Sequence, residues 1–193
     1  MRHLGIVAGL VLLLLAAGAC RSRESAPNVS ALIEDLKSTD RERSGRANLA
    51  LIRVGEAAVP AVLELLNGED PRLRTVALTT LWGMGEKAKA AVPTLAGALE
   101  DPDPEIRLGA AMALANMGPA AEGAVPALVK SLGDGDNRVR QVAVKALGNI
   151  GPGAREAVPV ISRAVKRGAW PEAEEAIRKI QGRVEETPSP EPR

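Results

Sequence analysis

The dipeptide Val-Pro returns at Val59-Pro60, Val92-Pro93, Val125-Pro126 and Val158-Pro159, each 33 residues after the last. Other residues keep phase with it. Asp70-Pro71, Asp103-Pro104 and Asp136-Asn137 stand midway through the block, and Gly85, Gly118 and Gly151 close it. A period of this size, with like residues at like phases, restricts the chain to a stack of similar units, because each unit can bury its apolar face only against its neighbours.

Each unit carries two apolar runs at helical spacing. In the block from Val125 the first is Val125, Leu128, Val129 and Leu132, and the second is Val139, Val142, Ala143, Ala146, Leu147 and Ile150. Both follow the i, i+3, i+4, i+7 template, which predicts two helices per unit. Proline after valine suits the first turn of the first helix, where a missing N–H is not needed. The aspartate at Asp70, Asp103 and Asp136 reads as the N-cap of the second helix. Glycine then stops it by adopting a left-handed conformation, and Pro119 and Pro152 block its continuation.

The idealised unit, V-P-x-L-x-x-x-L-x-D-x-D-x-x-V-R-x-x-A-x-x-A-L-x-x-I-G, resembles HEAT repeats. It is most similar to the short HEAT-like class found in phycocyanobilin lyase subunits and deoxyhypusine hydroxylase. The resemblance runs from about Ser30 to Gly182. It implies an all-α, right-handed α-solenoid (superhelix) of five helix-turn-helix repeats, at about 30–55, 56–85, 86–118, 119–151 and 152–182. The chain has 46% apolar residues, no Phe, no Tyr and two Trp, so its core must be built from Ala, Leu, Val and Ile. Small residues of this kind allow the close helix packing of a stacked array.

The end units depart from the pattern as caps should, since each has one face without a neighbour. Ser30 is the expected N-cap of the first helix, and Arg43 replaces the apolar residue found at Leu73, Ile106 and Val139. In the last unit the turn Lys166-Arg167-Gly168-Ala169 has no aspartate, and a helix is expected from Pro171 to about Ile180. Its acids Glu172, Glu174 and Glu175 come first and its bases Arg178 and Lys179 last, matching the helix dipole. Residues 183–193, with three prolines, read as a disordered tail.

Residues 1–19 read as a signal peptide: Arg2 and His3, the apolar run Ile6 to Ala17, then the small residues Ala17-Gly18-Ala19 before Cys20. This resembles the bacterial lipoprotein signal, with Ala17 where that family usually has leucine. The resemblance implies cleavage before Cys20 and lipidation of its sulfur. An ordinary secretory signal and a retained anchor are the alternatives. A polar tether, residues 20–29, would then lift the repeats from a bacterial membrane, on its periplasmic or other extracytoplasmic face. Cys20 is the one cysteine and His3 the one histidine, so the processed chain would hold neither a histidine nor a free thiol.

That inventory leaves no metal cluster of His or Cys and no His-activated nucleophile. The His-Glu pairs that bind iron in deoxyhypusine hydroxylase have no counterpart here. The expectation is a protein without enzymatic activity, cofactor, metal or small-molecule substrate. A formal charge of +1 gives no nucleic-acid footprint. Arg74, Arg107 and Arg140 each follow Asp70, Asp103 and Asp136 by four residues and are expected to pair with them as helix neighbours. The resemblance to HEAT-like families implies that such pairs stack into a structural ladder between repeats.

On a helical wheel Trp82 lies opposite the core direction set by Leu73, Val76, Ala77, Thr80, Leu81 and Met84. With Leu49, Ile52, Leu78, Leu108, Met112 and Val144 it forms an expected apolar strip along the concave face. The reading is an exported, lipid-anchored scaffold or adaptor that binds a protein partner there. An accessory subunit assisting an enzyme, as in the bilin lyases, and a self-associating structural envelope protein are the alternatives.

Overall fold

The structure, a computed structural model, describes residues 28–165 and 172–182. The expected signal peptide, Cys20, most of the tether, the turn at 166–169, Pro171 and the tail lie outside the described residues. Among the described residues ten α-helices form five hairpins, and there is no strand. They are α1 (Val29–Lys37) with α2 (Arg41–Val54), α3 (Val59–Leu66) with α4 (Pro71–Met84), and α5 (Val92–Ala98) with α6 (Pro104–Met117). Then come α7 (Val125–Ser131) with α8 (Asn137–Ile150), and α9 (Val158–Val165) with α10 (Ala173–Ile180). The second helices α4, α6, α8 and α10 pack along one another in series, whereas the shorter first helices touch their counterparts far less. The second-helix layer is therefore the tighter, inner one, and the structure is an α-solenoid.

A 3₁₀ helix joins each hairpin to the next, at Gly55–Ala58, Gly85–Ala91, Gly118–Ala124 and Gly151–Ala157. Pro119 and Pro152 sit in the first turn of two of them, so they open an element as well as end one. Ala58, Ala88, Ala91, Ala121, Ala124, Ala154 and Ala157 are wholly buried, and the 3₁₀ helices stack on one another as a third layer. The glycines that start them have φ of 55° to 72° with ψ near −130° to −137°. This is the mirror image of extended backbone, not the left-handed helical conformation expected from the sequence, and it is open to glycine almost alone.

Asp70, Asp103 and Asp136 start α4, α6 and α8 as expected, and Asp40 does the same for α2. Asp40, Asp70, Asp103 and Asp136 each accept a hydrogen bond from an N–H in the first turn of α2, α4, α6 and α8. The first helix differs, because Asn28 caps α1 by accepting from the Ala31 N–H, leaving Ser30 inside the helix. The last helix begins at Ala173, with Glu172 in front of it.

Capping occupies Asp70, Asp103 and Asp136, so the i, i+4 pairs with Arg74, Arg107 and Arg140 are not made. The ladder runs between repeats. Arg74 binds Asp101 and donates to the Leu66 carbonyl at 3.1 Å. Arg107 holds Asp134 with two bonds of 2.8 and 3.0 Å and donates to the carbonyls of Asp101 and Pro102. Asp101 and Asp134 also accept from the N–H of Asp103 and Asp136, bracing the turn that the next aspartate uses as a cap. Arg140 turns to the carbonyls of Asp134 and Gly135 and to Asn137, and meets no carboxylate among the described residues. One period beyond Asp134 the sequence has Arg167, which ends the series.

A second ladder joins the helix ends. The side-chain amides of Asn116 and Asn149 donate to the carbonyls of Trp82 and Ala115, at 2.7 and 2.9 Å, satisfying acceptors in the last turn of the preceding inner helix. Gly83 holds this phase in α4. A Cβ there would lie 2.4 Å from Ile52 Cδ1, so the position is already taken from the side of α2.

Candidate functional site

The inner layer carries a groove of about 320 Å³ between α4 and α6. Thr75, Leu78, Thr79 and Trp82 form one wall, and Glu105, Leu108, Gly109 and Met112 the other. Its origin is Gly109, which stands one period from Val76 and from Val142. Without a side chain on α6 at that point, Leu78 lies down on the helix backbone: a Cβ on Gly109 would be 2.8 Å from Leu78 Cδ1. Leu78 thereby becomes the floor.

Trp82 and Met112 stand over this floor with 46% and 42% of their surface exposed, and Leu49 on α2 is 57% exposed. These three are the large apolar residues left open among the described residues. Ile52 and Leu108 are half-buried. Two members of the expected strip belong to the core instead. Leu78 is 3% exposed and Val144 is fully covered, because an inner helix packs against helices on both sides and a single core direction describes only one of them. Glu105 at the rim is paired with Arg138 across the gap to α8, at 2.6 Å.

Two further depressions lie in the same layer. Between α2 and α4, Arg41, Gly45, Asn48, Arg72, Val76 and Thr79 line one of about 410 Å³. Between α8 and α10 a third, of about 330 Å³, is bounded by Lys145, Glu172, Glu175 and Lys179. The groove residues that the sequence reading missed are Thr75, Thr79 and Glu105, with Gly109 as the signal: a glycine breaking an apolar column inside a helix marks close approach or a gap. No group of three or more His, Cys, Asp or Glu among the described residues could hold a metal ion. No described helix is long and apolar enough to cross a membrane.

The family model of HEAT repeats matches this chain twice, over residues 59–125 and 92–181. The chain belongs to the HEAT-repeat family. None of the curated proteins compared with it matches. Among solved structures, this HEAT-repeat chain is similar to an engineered protein at 27% identity, with TM-score 0.57, covering 80% of this chain and 79% of that one. It is also similar to the complex of CpcE and CpcF of phycocyanin lyase from Nostoc sp. PCC7120, at 20% identity and TM-score 0.64, covering 79% of this chain and 97% of that one. A designed armadillo repeat protein in complex with peptide (KR)4 matches at 19% identity and TM-score 0.54, over 81% and 80% of the two chains. The last two likenesses concern the fold.

Proposed function

We propose that this HEAT-repeat protein is a non-enzymatic adaptor that holds a segment of a partner protein against its inner face. The observation that carries the reading is the groove between α4 and α6, where Trp82 and Met112 stay exposed above an apolar floor. Tryptophan is enriched among the residues that dominate interface energies, and exposed apolar patches mark interaction sites. The designed armadillo protein in complex with a peptide supports capture of a peptide segment on this kind of architecture.

Anchoring is the second part of the proposal. Lipid on Cys20 would hold the adaptor at the extracytoplasmic face of a bacterial membrane, and several acyl chains anchor stably where one is marginal. The support is the sequence of residues 1–20 alone. Cys20→Ser should release the protein from membranes washed at high salt, and full retention would reject the anchor.

The accessory-subunit reading is favoured by the likeness to CpcE and CpcF, nearly the whole of one chain of which aligns here. It differs in outcome, since it requires that a bilin attachment or removal reaction depend on this protein. Affinity for a captured partner tests the adaptor reading. Trp82→Ala should weaken it by about 2 kcal/mol or more, roughly thirtyfold in Kd. An unchanged Kd would withdraw the groove as the binding site.

A further inference from the structure

Resting on the adaptor reading, we infer that Met112 is a modification site that controls the groove: a peroxide converts its thioether to a sulfoxide, and the groove then releases its apolar occupant. The chain has four methionines. Met1 lies outside the described residues, and Met84 and Met117 are core side chains, 5% and 2% exposed. Met112, open over the groove, is the thioether an oxidant can reach among the described residues. No thiol competes there, because Cys20, the one cysteine, also lies outside them.

The step balances with hydrogen peroxide as the one co-reactant. A sulfur lone pair attacks one peroxide oxygen, and the O–O bond breaks as the S–O bond forms. The second oxygen leaves as water, so sulfur gives up two electrons and the peroxide takes them. The product is a polar side chain in place of a flexible apolar one, and it is reversible by sulfoxide reductases.

The position of the sulfur gives oxidation its consequence. Met112 and Leu108 belong to the α6 wall, opposite Thr79 and Trp82. One period away on either side stand Thr79 and Lys145, so the thioether is particular to this groove. Reduced, it offers adaptable apolar surface. Oxidised, it carries an acceptor that needs a donor once an occupant shuts out water. The hydroxyls of Thr75 and Thr79 already donate to the carbonyls of Pro71 and Thr75, each at 3.0 Å. Glu105, paired with Arg138, is an acceptor itself. The remaining side-chain donor in the lining is the Trp82 indole N–H, on the far wall, and a sulfoxide bonded to it would bridge and close the groove. In both arrangements the apolar occupant is displaced, since a covered acceptor without a partner costs its full desolvation.

The test takes the full chain in detergent, with hydrogen peroxide as oxidant and the apolar dye anilinonaphthalene sulfonate as probe. Dye held in the groove is the part of the emission that Trp82→Ala removes. Peptide mapping by mass spectrometry should find Met112 gaining one oxygen well before Met84 or Met117. Dye affinity at the groove should then fall about tenfold, the size of one unmade hydrogen bond, and recover after treatment with methionine sulfoxide reductases. Met112→Leu should bind the dye and keep it through peroxide, whereas Met112→Gln should bind it weakly from the start. Loss of dye from oxidised Met112→Leu, retention by the oxidised wild type, or oxidation of Met84 and Met117 as fast as Met112 would overturn the inference and leave the groove standing. Dye emission equal in the wild type and Trp82→Ala would instead remove the groove, and the adaptor reading with it.

Discussion

Arg107 shows how one residue joins two repeats. Its guanidinium spans two carbonyls of its own turn and the carboxylate of the next, so its loss leaves Asp134, only 8% exposed, with an unpaired charge. Arg107→Ala should lower the melting midpoint clearly more than Arg46→Ala, whose exposed pair with Glu42 belongs to a class worth little. Equal shifts would show that the ladder is ornament. Acid tests the same contact. The hydrogen bond from Arg107 holds the Asp134 carboxyl below the usual 3.8, against the opposing effect of burial. At Asp101 burial pushes up, but the bonds from Arg74 and the Asp103 N–H, with the charges of Arg74 and Arg107, leave it lowered. Groups depressed by folding contribute stability that is present above their unfolded value and lost as pH falls through the folded one. The midpoint should therefore drop below about pH 4, and Asp134→Asn should lower it at neutral pH while flattening the acid limb, as differential scanning calorimetry would show. The recurrence of Arg74, Arg107 and Arg140 was legible in the sequence, but their partners were not. An i, i+4 rule sees only one helix, whereas Asp101 and Asp134 come from the next hairpin.

At the scale of elements, the hairpins and their aspartate caps were readable and the 3₁₀ layer was overlooked. Its signal was there, in the pairs Ala88 with Ala91, Ala121 with Ala124 and Ala154 with Ala157 ahead of the last three Val-Pro dipeptides. A run of small residues between two helices reads as linker until its burial is known. Glycine position separates the two roles this residue plays. Gly118 has φ 56° and ψ −131°, so Gly118→Ala should destabilise by about 1–3 kcal/mol. Gly45 lies inside α2 with open space at its Cβ, so Gly45→Ala should stabilise by about 1 kcal/mol. Urea titrations of the two variants should move in opposite directions. The last hairpin covers α8, with Gly148 allowing Ala176 to approach closely. A chain ending at Gly151 would bare Leu147 and Ile150, both buried in the intact molecule, and light scattering should report aggregation.

At the scale of the whole molecule, the period dictated a solenoid because no unit closes a core alone, and the HEAT-repeat fold follows. What the period could not give was which apolar residues the stack leaves open, since burial in an inner helix depends on two neighbours. Trp82 and Met112 stayed open, whereas Leu78 lies against Gly109 and Val144 is covered by the helices beside α8. The central claim is that a partner is held on the inner face. Site-specific photocrosslinking tests it most directly, with a photoreactive residue at exposed Thr79 in the groove and another at Gly97 on α5 of the outer layer, where space is also open. An adduct with the partner from position 79 and none from position 97 is the expected result. An adduct from position 97 alone, or equal yields from both, would contradict it.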